Sequence, residues 1–508
     1  MRTAPGIFPV VAIDRGASIP LYRQLYESYR DAIVERRLRA GQRVPSTRSL
    51  AAELQISRIP VLNAFEQLLA EGYLESRVGS GTFVARSLPD LPPRPSLPPA
   101  ARRPADPQAP RVISPSAQAL LGYAGGPWLR GKGAFNVGEP PIDRFPLRVW
   151  SQLTARHARS LAGSQLHYGD ARGFEPLREA VAEYLRTARA VRCEADQVVI
   201  VSGSQQALAL ASRVLFDRGS PVWIEDPAYF GARNVLTMEG ARIVPVPVDE
   251  EGLDVSAGIA RCKQAAAVFV TPSHQFPLGV TMSASRRLQL LNWASSQGSW
   301  IIEDDYDSEY RYESLPIASL QGLDRDSRVV YVGTFAKILF PSIRLGYVVL
   351  PPDLVPAFIQ ARRAMDFCAP TFHQAVLTDF IQEGHFARHI RRTREICRER
   401  RSALLAALRD EFGDEMEVLG DDAGMFLTVS LAKGWSDREI SESAAREGLW
   451  VVPLSESYLT SGRARSGFVL GFGSTGVGEI QAGVRTLRKI IAASANSERG
   501  RATARGSR

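Results

Sequence analysis

Residues 329–349 read VVYVGTFAKILFPSIRLGYVV, and this stretch determines the fold of most of the chain. Its two apolar runs, 329–332 and 345–349, are short and rich in valine, which is typical of buried strands. They frame Lys337, which stands out because only five of the chain's 62 basic residues are lysines. Desolvation between two buried strands lowers the pKa of an amine and favours Schiff-base chemistry, although such a lysine can also extend to the rim of the fold.

Two further segments combine a buried strand with a polar end. Residues 198–201 (VVIV) run into SGSQQ at 202–206, and a helix that begins there offers backbone amides and a positive dipole end to phosphate. Residues 299–302 end in the acidic run EDDYD at 303–307, where α/β sheets bind ligands, although a solvated acidic loop has the same composition. A lysine for an aldehyde, an acid for a pyridinium nitrogen and a phosphate cup together indicate pyridoxal 5′-phosphate (PLP).

Length and composition exclude several classes of protein. The 508 residues are 45% apolar and 23% charged, which suffices for packed cores and rules out wholesale disorder. The chain has no run of the ~18 apolar residues that a membrane helix needs. Its four cysteines are widely spaced and do not suggest a disulfide or zinc framework. His385 and His389 lie four apart without a third ligand nearby, so a solvated basic helix face is expected there rather than a metal site. We expect a cytoplasmic chain whose net charge of +8 permits nucleic-acid binding.

A proline-rich segment divides the chain. Residues 87–110 contain nine prolines, which deny helix and strand hydrogen bonds and favour an extended spacer. We predict a linker at 87–133 between a small N-terminal domain at 1–86 and a large domain at 134–493, with a disordered tail at 494–508. The large domain alternates strand-like and helical patterns, which is typical of an α/β fold.

The N-terminal domain is predicted to contain a helix-turn-helix followed by a hairpin. A first helix starts near Ser18, Ser46 caps a second and Ser57 caps a third, and two short strands then flank a turn at 78–81. The third helix has one apolar stripe, formed by Val61, Ala64, Phe65, Leu68 and Leu69. Its opposite side carries Arg58, Ile59, Asn63 and Gln67. Twelve arginines against eight acids in residues 1–86 favour DNA as the partner, but the pattern alone also fits a protein-interaction module.

Residues 43–84, RVPSTRSLAAELQISRIPVLNAFEQLLAEGYLESRVGSGTFV, resemble the winged helix-turn-helix of the GntR regulator superfamily. The resemblance implies binding to double-stranded DNA in the major groove. It assigns the DNA contacts to Ser46, Arg48, Ser57, Arg58, Asn63, Gly79, Gly81 and Thr82. The family usually has Asn-Thr where this chain has Ile59 and Pro60, so an apolar surface that can meet a thymine methyl replaces polar side chains. Pro60 lies in the first helical turn, where its missing amide hydrogen costs little.

The large domain carries six motifs in a highly specific order. They are YGDARGFEPLREAV at 168–181, VSGSQQAL at 201–208, EDPAY at 225–229, TPSHQFPLG at 271–279, IIEDDYDSEY at 301–310 and GTFAKILFPSIRLGY at 333–347. In this order they resemble the fold-type I aminotransferases, which implies an α/β, PLP-dependent aminotransferase-like domain behind the winged helix-turn-helix domain. The fusion of these two domains, over almost the entire chain, resembles the MocR subfamily of bacterial transcriptional regulators.

The resemblance implies a role for each residue of the cofactor site. Lys337 corresponds to the catalytic lysine that forms the internal aldimine, and Asp304 to the partner of the pyridine nitrogen, with Asp305 as the alternative. Tyr306 is expected near the phenolic oxygen of the cofactor and Tyr229 against its ring. The phosphate is expected to contact Gly203, Ser204, Gln205, Thr334 and Arg344.

Three departures from the aminotransferase pattern bear on activity. Phe276 stands where these enzymes usually have Asn, Ala336 where they have Ser, and Val469 where they have the Arg that binds a substrate carboxylate. His274 or Gln275 is a candidate to compensate for the missing Asn, and Arg463 or Arg465 for the missing Arg. Without a bidentate carboxylate clamp, turnover of ordinary α-amino acids is not expected.

These observations predict a PLP-dependent transcriptional regulator that binds DNA and senses PLP or an amine or amino-acid-like effector. An active aminotransferase with an accessory DNA-binding domain is the alternative, and a cofactor-storage or scaffold protein is a third. The sequence does not decide whether the chain is an enzyme, and we expect that it is not. A homodimer is expected because such sites borrow residues across a two-fold axis, and Tyr168 is the candidate to reach the partner's cofactor.

Overall fold

A computed structural model describes most of the chain, and it divides into two compact units, Met1–Arg111 and Val112–Arg508. The described residues are 13–77, 79–87, 112–123, 125–129, 131, 133–160, 167–312, 318–420, 422–431 and 435–506, with side chains described as far as 494. The proline-rich spacer predicted at 87–110 lies outside the described residues from position 88 onward.

The N-terminal unit consists of three helices and an antiparallel hairpin. These are α1 (Leu21–Val34), α2 (Thr47–Glu53), α3 (Arg58–Ala70), β1 (Leu74–Arg77) and β2 (Gly81–Val84). Its core buries Leu25, Tyr29, Phe65, Leu68 and Val84. Helix α1 begins at Leu21 rather than near Ser18, because Pro20 occupies its N-cap position. The predicted helix-turn-helix with a wing is confirmed, although Leu69 at the edge of the apolar stripe is only partly buried.

The two serine N-caps of this unit differ in one respect. The Ser46 hydroxyl accepts a hydrogen bond from the backbone N–H of Ser49 at 3.1 Å, which satisfies a free donor at the start of α2. Ser57 occupies the same position before α3, but its side chain makes no capping bond. The third residue of α3 is Pro60, which has no N–H to donate. The Ser57 hydroxyl is therefore left without a partner inside its own helix.

The second unit contains thirteen α-helices, besides short 3-10 helices, and twelve strands. The helices are α4 (Pro115–Leu121), α5 (Leu147–Arg159), α6 (Glu175–Ala188), α7 (Ser204–Leu215), α8 (Phe230–Glu239), α9 (Val255–Cys262), α10 (Ala284–Gln297), α11 (Leu320–Leu323), α12 (Val355–Asp366), α13 (Thr371–Gln382), α14 (His385–Phe412), α15 (Asp437–Arg446) and α16 (Val477–Gly506). The strands are β3 (Val198–Val201), β4 (Pro221–Asp226), β5 (Arg242–Asp249), β6 (Gly252–Leu253), β7 (Ala267–Val270), β8 (Trp300–Asp305), β9 (Val329–Thr334), β10 (Gly346–Val349), β11 (Met416–Leu419), β12 (Phe426–Leu431), β13 (Val452–Pro453) and β14 (Gly467–Gly471). These counts refer to the described part of the chain.

A central eight-stranded sheet has the order β3-β10-β9-β8-β7-β4-β5-β6. Strands β5, β4, β7, β8 and β9 run parallel, and β3 shares their direction because both β3 and β9 pair antiparallel with β10. The apolar cores on the two faces of this sheet bury the valine-rich runs that predicted strands. The parallel arrangement brings the carboxyl ends of β3, β4, β8 and β9 to one edge, where their polar ends meet.

A smaller antiparallel sheet, β11-β12-β14-β13, forms the C-terminal part of the unit. Its core combines side chains of β12 and β14 with those of α14 and α16. Helix α16 continues to Gly506, so the predicted disordered tail at 494–508 is helical over most of its length. His389 on α14 is buried, and its Nε2 lies 2.9 Å from the Ile338 carbonyl oxygen, so the expected solvated face does not include it.

The second half of the predicted linker belongs to the large unit. Helix α4 packs against α8, Arg218 donates to Ser116 Oγ at 3.1 Å, and the Arg233 guanidinium lies 4.2 Å from the Tyr123 ring centroid. Within the predicted linker at 87–133, these tertiary contacts therefore order a segment that has little helical pattern of its own. All four cysteines are free. Among the described residues, no helix has both the length and the apolar character to cross a membrane.

The serine caps generate a matched prediction. Ser46→Ala removes the bond to Ser49 N–H and should lower the local stability of the start of α2 by about 1 kcal/mol. Ser57→Ala removes no capping bond and should change the local stability of α3 far less. Hydrogen exchange of peptides covering 44–63 in the full chain measures both, and equal losses would contradict the interpretation.

Candidate functional site

The polar ends of β3, β4, β8 and β9 line one cavity in the large unit. The lining includes the predicted cofactor residues Ser204, Gln205, Tyr229, Asp304, Tyr306, Thr334, Lys337 and Arg344. The ninth predicted residue, Gly203, is the N-cap of α7 directly before Ser204. The structure thus brings together groups that are 134 positions apart in sequence, from Gly203 to Lys337.

Lys337 extends from the turn after β9 into the cavity. Its Nζ donates a hydrogen bond to the carbonyl oxygen of Gly138 at 2.8 Å. Gly138 has φ +81°, which favours glycine, and a Cβ there would lie 2.2 Å from Nζ, so a larger residue would displace the amine from this position. Burial lowers the pKa of Lys337, against the opposing effect of Asp307 and Asp304. A partly buried amine with a lowered pKa is suited to act as a nucleophile.

Strand alternation separates the two candidate acids, Asp304 and Asp305, onto opposite faces of β8. Asp305 is buried against Arg189, whose Nη2 lies 2.7 Å from Oδ2, and it accepts a bond from the Tyr331 hydroxyl at 2.6 Å. Asp304 lines the cavity, and its Oδ1 is buried without a hydrogen-bond partner in the structure. The geometry therefore favours Asp304 over Asp305 as the carboxylate available to a ligand.

The two acids also differ in protonation. Burial, and then the charge of Asp305, raise the pKa of Asp304 to about 7, although Lys337 acts in the opposite direction. Burial would also raise the pKa of Asp305, but Arg189 and the Tyr331 hydroxyl outweigh it and hold that pKa below its ordinary value. Asp304 can therefore take up or release a proton near neutral pH, while Asp305 stays charged.

One end of the cavity is suited to an anion. The N-terminus of α7 presents Ser204 and Gln205, and Thr334 at the end of β9 and Arg344 just before β10 also line this end. Arg344 Nη2 donates to the Ser202 carbonyl oxygen at 2.7 Å, which fixes the guanidinium beside the helix start. Gly203 has φ +85°, and a Cβ there would lie 3.2 Å from Arg344 Nη2. A helix N-terminus with an arginine beside it is a favourable site for phosphate.

Two tyrosines line the middle of the cavity. Burial raises the pKa of Tyr229 to about 12, and its hydroxyl accepts a bond from Gln205 Nε2 at 3.2 Å. The Tyr306 hydroxyl donates to the His274 carbonyl oxygen at 2.8 Å. Both phenols therefore stay neutral and are held by neighbours, which leaves an aromatic face and a polar hydroxyl for a ring-shaped ligand.

The other end of the cavity is apolar. Phe276, Phe426 and Val452 line it and belong to one buried cluster with Trp128 and Val469. Val469 is fully buried in β14 within this cluster. Phe276 and Val469 therefore belong to one apolar wall.

The residues considered as compensation lie elsewhere. His274 pairs with Asp307, with Nδ1 3.0 Å from Oδ2, and the Gln275 amide donates to the Pro227 carbonyl oxygen at 2.9 Å, and neither side chain lines the cavity. Arg465 pairs with Glu417 at 2.6 Å, and neither it nor Arg463 lines the cavity.

The predicted DNA contacts lie on the N-terminal unit and are all at least partly exposed. They are Ser46, Arg48, Ser57, Arg58, Asn63, Gly79, Gly81 and Thr82. Arg58 Nε donates to the Thr47 hydroxyl at 3.1 Å, which links the starts of α2 and α3. Gly79 has φ +74°, which the turn of the wing requires. Among the described residues there is no group of three or more potential metal ligands.

The fold and these two sites define a winged helix-turn-helix unit joined to an aminotransferase-like α/β unit. The family model for bacterial regulatory proteins of the gntR family matches residues 21–84, and that for aminotransferase class I and II matches residues 131–468. Among solved structures, the Pyrococcus horikoshii kynurenine aminotransferase in complex with PMP aligns with TM-score 0.67 and 28% identity, over 75% of this chain and 95% of that one.

Relatives share the whole two-part architecture. The probable rhizopine catabolism regulatory protein MocR of Rhizobium meliloti is 37% identical over 95% of this chain and 96% of its own length. The transcriptional regulator TauR of Rhodobacter capsulatus is 30% identical over 94% of this chain and 97% of its own. The chain therefore belongs to the MocR subfamily of GntR-type transcriptional regulators, and it binds DNA through its N-terminal winged helix.

Sequence reasoning missed several residues of the cavity. Gly138 carries the carbonyl that holds Lys337, and only its place before Glu139-Pro140 hints at a turn. Asp307 was visible within the acidic run at 303–307 but received no role, and it lines the cavity. Leu129 also lines the cavity, yet it fell inside the predicted linker. No pattern in the local sequence identifies Leu129 as a cavity residue.

The buried ion pair generates a stability prediction. Arg189→Met leaves Asp305 charged and buried without its partner, which should lower the free energy of unfolding by about 3–5 kcal/mol. Because the pKa of Asp305 is lowered in the folded chain, this stabilisation is present at neutral pH and is lost as the pH falls through that folded-state pKa. Urea unfolding measures the change. Arg213→Met, which breaks a more exposed pair with Glu239, is the control and should cost about 1 kcal/mol or less.

Proposed function

We propose that the large unit binds PLP at Lys337, and that the cofactor, or an amine that reacts with it, changes the affinity of the chain for DNA. One observation carries this proposal. Asp304, with a buried carboxylate oxygen that has no partner, lies in the same cavity as the Lys337 amine and the cup formed by α7 and Arg344. An acid, an amine and an anion site around one cavity match the groups of PLP.

Each lining residue has a distinct role in this proposal. The Lys337 amine, which donates to the Gly138 carbonyl oxygen, is the group that would bind the aldehyde of the cofactor. Asp304 can hold a proton on the pyridine nitrogen, and Tyr229 can lie against the ring. The α7 N-terminus, Thr334 and Arg344 can bind the phosphate. When bound, PLP supplies an electrophilic carbon for primary amines and an electron-withdrawing ring.

The apolar wall supports sensing rather than turnover. Among the described residues that line the cavity, Arg344 is the sole arginine, and it lies at the proposed phosphate end. A substrate carboxylate at the Phe276 end would lose charge-assisted hydrogen bonds of roughly 1.5–3 kcal/mol each. The positions of Lys337 and Asp304 do support the alternative of a working aminotransferase, so product formation is the measurement that separates the two functions.

A route from the cavity to the linker supports the regulatory part of the proposal. Trp128, at the end of the predicted linker, is buried against Phe276 and Phe426 of the cavity wall, and Leu129 lines the cavity itself. Before it, α4 packs on α8, which begins at Phe230, another lining residue. A ligand that moves the wall would thus act on the segment that follows the spacer.

Removal of the amine tests the cofactor site. Lys337→Ala should abolish the visible absorbance that the full chain acquires with PLP, because no other lysine is held in the cavity among the described residues. Borohydride reduction followed by peptide mass analysis should find the pyridoxyl group on Lys337. Lys263→Ala, at an exposed lysine, should leave both results unchanged. A label on another lysine would refute the assignment.

A DNA-binding assay tests the regulatory function. With duplex DNA from the intergenic region upstream of the gene, PLP or an added amine should change the affinity of the full chain without release of keto acid. Trp128→Phe should keep the Lys337-dependent absorbance but reduce this change, whereas Trp435→Phe, in another core and not lining the cavity, should not. Multiple turnovers with a common α-amino acid would favour the enzyme.

A homodimer is part of the proposal. Tyr168 and Phe367 are 83% and 61% exposed, and their rings stack at 5.3 Å, which supports a contact surface there. We expect sedimentation of the full chain at micromolar concentration to give a dimer, and Tyr168→Ser with Phe367→Ser to weaken it. A monomeric wild type would rule out an assembly with two reading heads.

A further inference from the structure

Helix α3 presents two large apolar side chains to solvent at the start of its reading face. Ile59 is 67% exposed and Leu62 is 38% exposed. With 3.6 residues per turn, Ile59 and Asn63 lie opposite the buried stripe that contains Val61 and Leu68. Ile59 therefore stands near the centre of the exposed face, with Leu62 beside it and the amide of Asn63 one turn further on.

The start of α3 is held in place around Ile59. Pro60 fixes the backbone of the first turn and has no N–H to offer, and Ser57 makes no capping bond. On the other side Arg58 is tied to the Thr47 hydroxyl at 3.1 Å. The apolar side chain between these residues is therefore presented from a fixed backbone, and it has exposed arginines, Arg58 and Arg48, nearby to bind phosphates.

The major groove contains one apolar group that such a side chain can recognise. The edges of the bases present hydrogen-bond donors and acceptors, and the exception is the C5-methyl group of thymine. An isoleucine pressed against a polar base edge would leave that edge without a partner, which is unfavourable. Because the chain binds DNA through this unit, the exposed pair on α3 has a matching group in its ligand.

We propose that Ile59, with Leu62 beside it, determines sequence specificity by contacting a pyrimidine C5-methyl group in the major groove. Thymine carries this group in ordinary DNA, and 5-methylcytosine carries the same group in methylated DNA. The inference rests on DNA binding by α3 and adds which base feature the helix reads. It predicts that removal of the methyl group from the contacted base lowers the DNA affinity of the chain only when Ile59 is present. A substitution of an isoleucine outside α3 should leave this loss of affinity unchanged.

The test uses the full chain and a duplex selected from a random-sequence library at fixed salt. Each thymine of that duplex is replaced singly by deoxyuridine, which removes the methyl group alone, and each cytosine singly by 5-methylcytosine, which adds it. Affinities are measured for wild type, for Ile59→Ala and for Ile19→Ala. Ile19 is the matched control, because it is an isoleucine of the same unit that is 47% exposed and lies outside α3.

We expect deoxyuridine at one thymine per half-site to weaken wild-type binding about fourfold, which corresponds to about 0.8 kcal/mol for one buried methyl group. Ile59→Ala should bind that thymine and its uracil replacement equally, whereas Ile19→Ala should keep the fourfold difference. A gain of similar size at a cytosine, without any thymine effect, would assign the contact to 5-methylcytosine.

Two results would overturn the inference. One is a wild type that tolerates every uracil and gains from no methylcytosine, and the other is a methyl effect of the same size in Ile59→Ala. If Ile59→Ala instead changes only the sedimentation of the chain, the apolar pair meets protein and the inference fails. If the full chain selects no duplex at all, DNA reading itself fails, and this outcome is distinct from a bound duplex without methyl dependence.

Discussion

The alternation of side chains along β8 is the constraint on which the cavity depends. Three consecutive acids, Glu303, Asp304 and Asp305, end this strand, and all three are buried. Glu303 accepts bonds from the backbone N–H groups of Leu320 and Gln321 at 2.8 and 2.9 Å. Asp305 is paired through Oδ2 with an arginine and a tyrosine. Asp305 Oδ1 and Asp304 Oδ1 are both buried without a hydrogen-bond partner, but Asp305 is already paired with Arg189, and of the three acids only Asp304 lines the cavity.

The same parallel sheet explains why the site is assembled from distant segments. Strands that run in one direction end at one edge, so turns that follow β3, β8 and β9 meet there. The apolar packing between the two sheets then closes the opposite end of the cavity with Phe276, Phe426 and Val452. The polar and apolar ends of the cavity thus come from different parts of the fold, and Tyr229 and Tyr306 pack against the apolar cluster between them.

The features that could be predicted from the sequence are those that depend on residues close together in the chain. The strand runs, the cap at Ser46 and the order of the motifs are local patterns, and the structure contains them. The choice between Asp304 and Asp305 was open, because it depends on Arg189, which lies 115 positions before Asp304. Helix α4 was missed because its contacts with α8 order it, and Leu129 was missed because only the folded cavity gives it a role. The sequence of that segment has no hydrophobic periodicity that would predict these contacts.

The scarcity of lysine has a consequence for chemical selectivity. A free aldehyde condenses with any accessible unprotonated amine, whereas a guanidinium remains protonated and does not compete. By carrying its positive charge almost entirely on arginine, this chain keeps its attraction for the phosphates of DNA while it offers an aldehyde few places to react. Composition thereby protects the single amine beside Gly138 from competition within its own polypeptide.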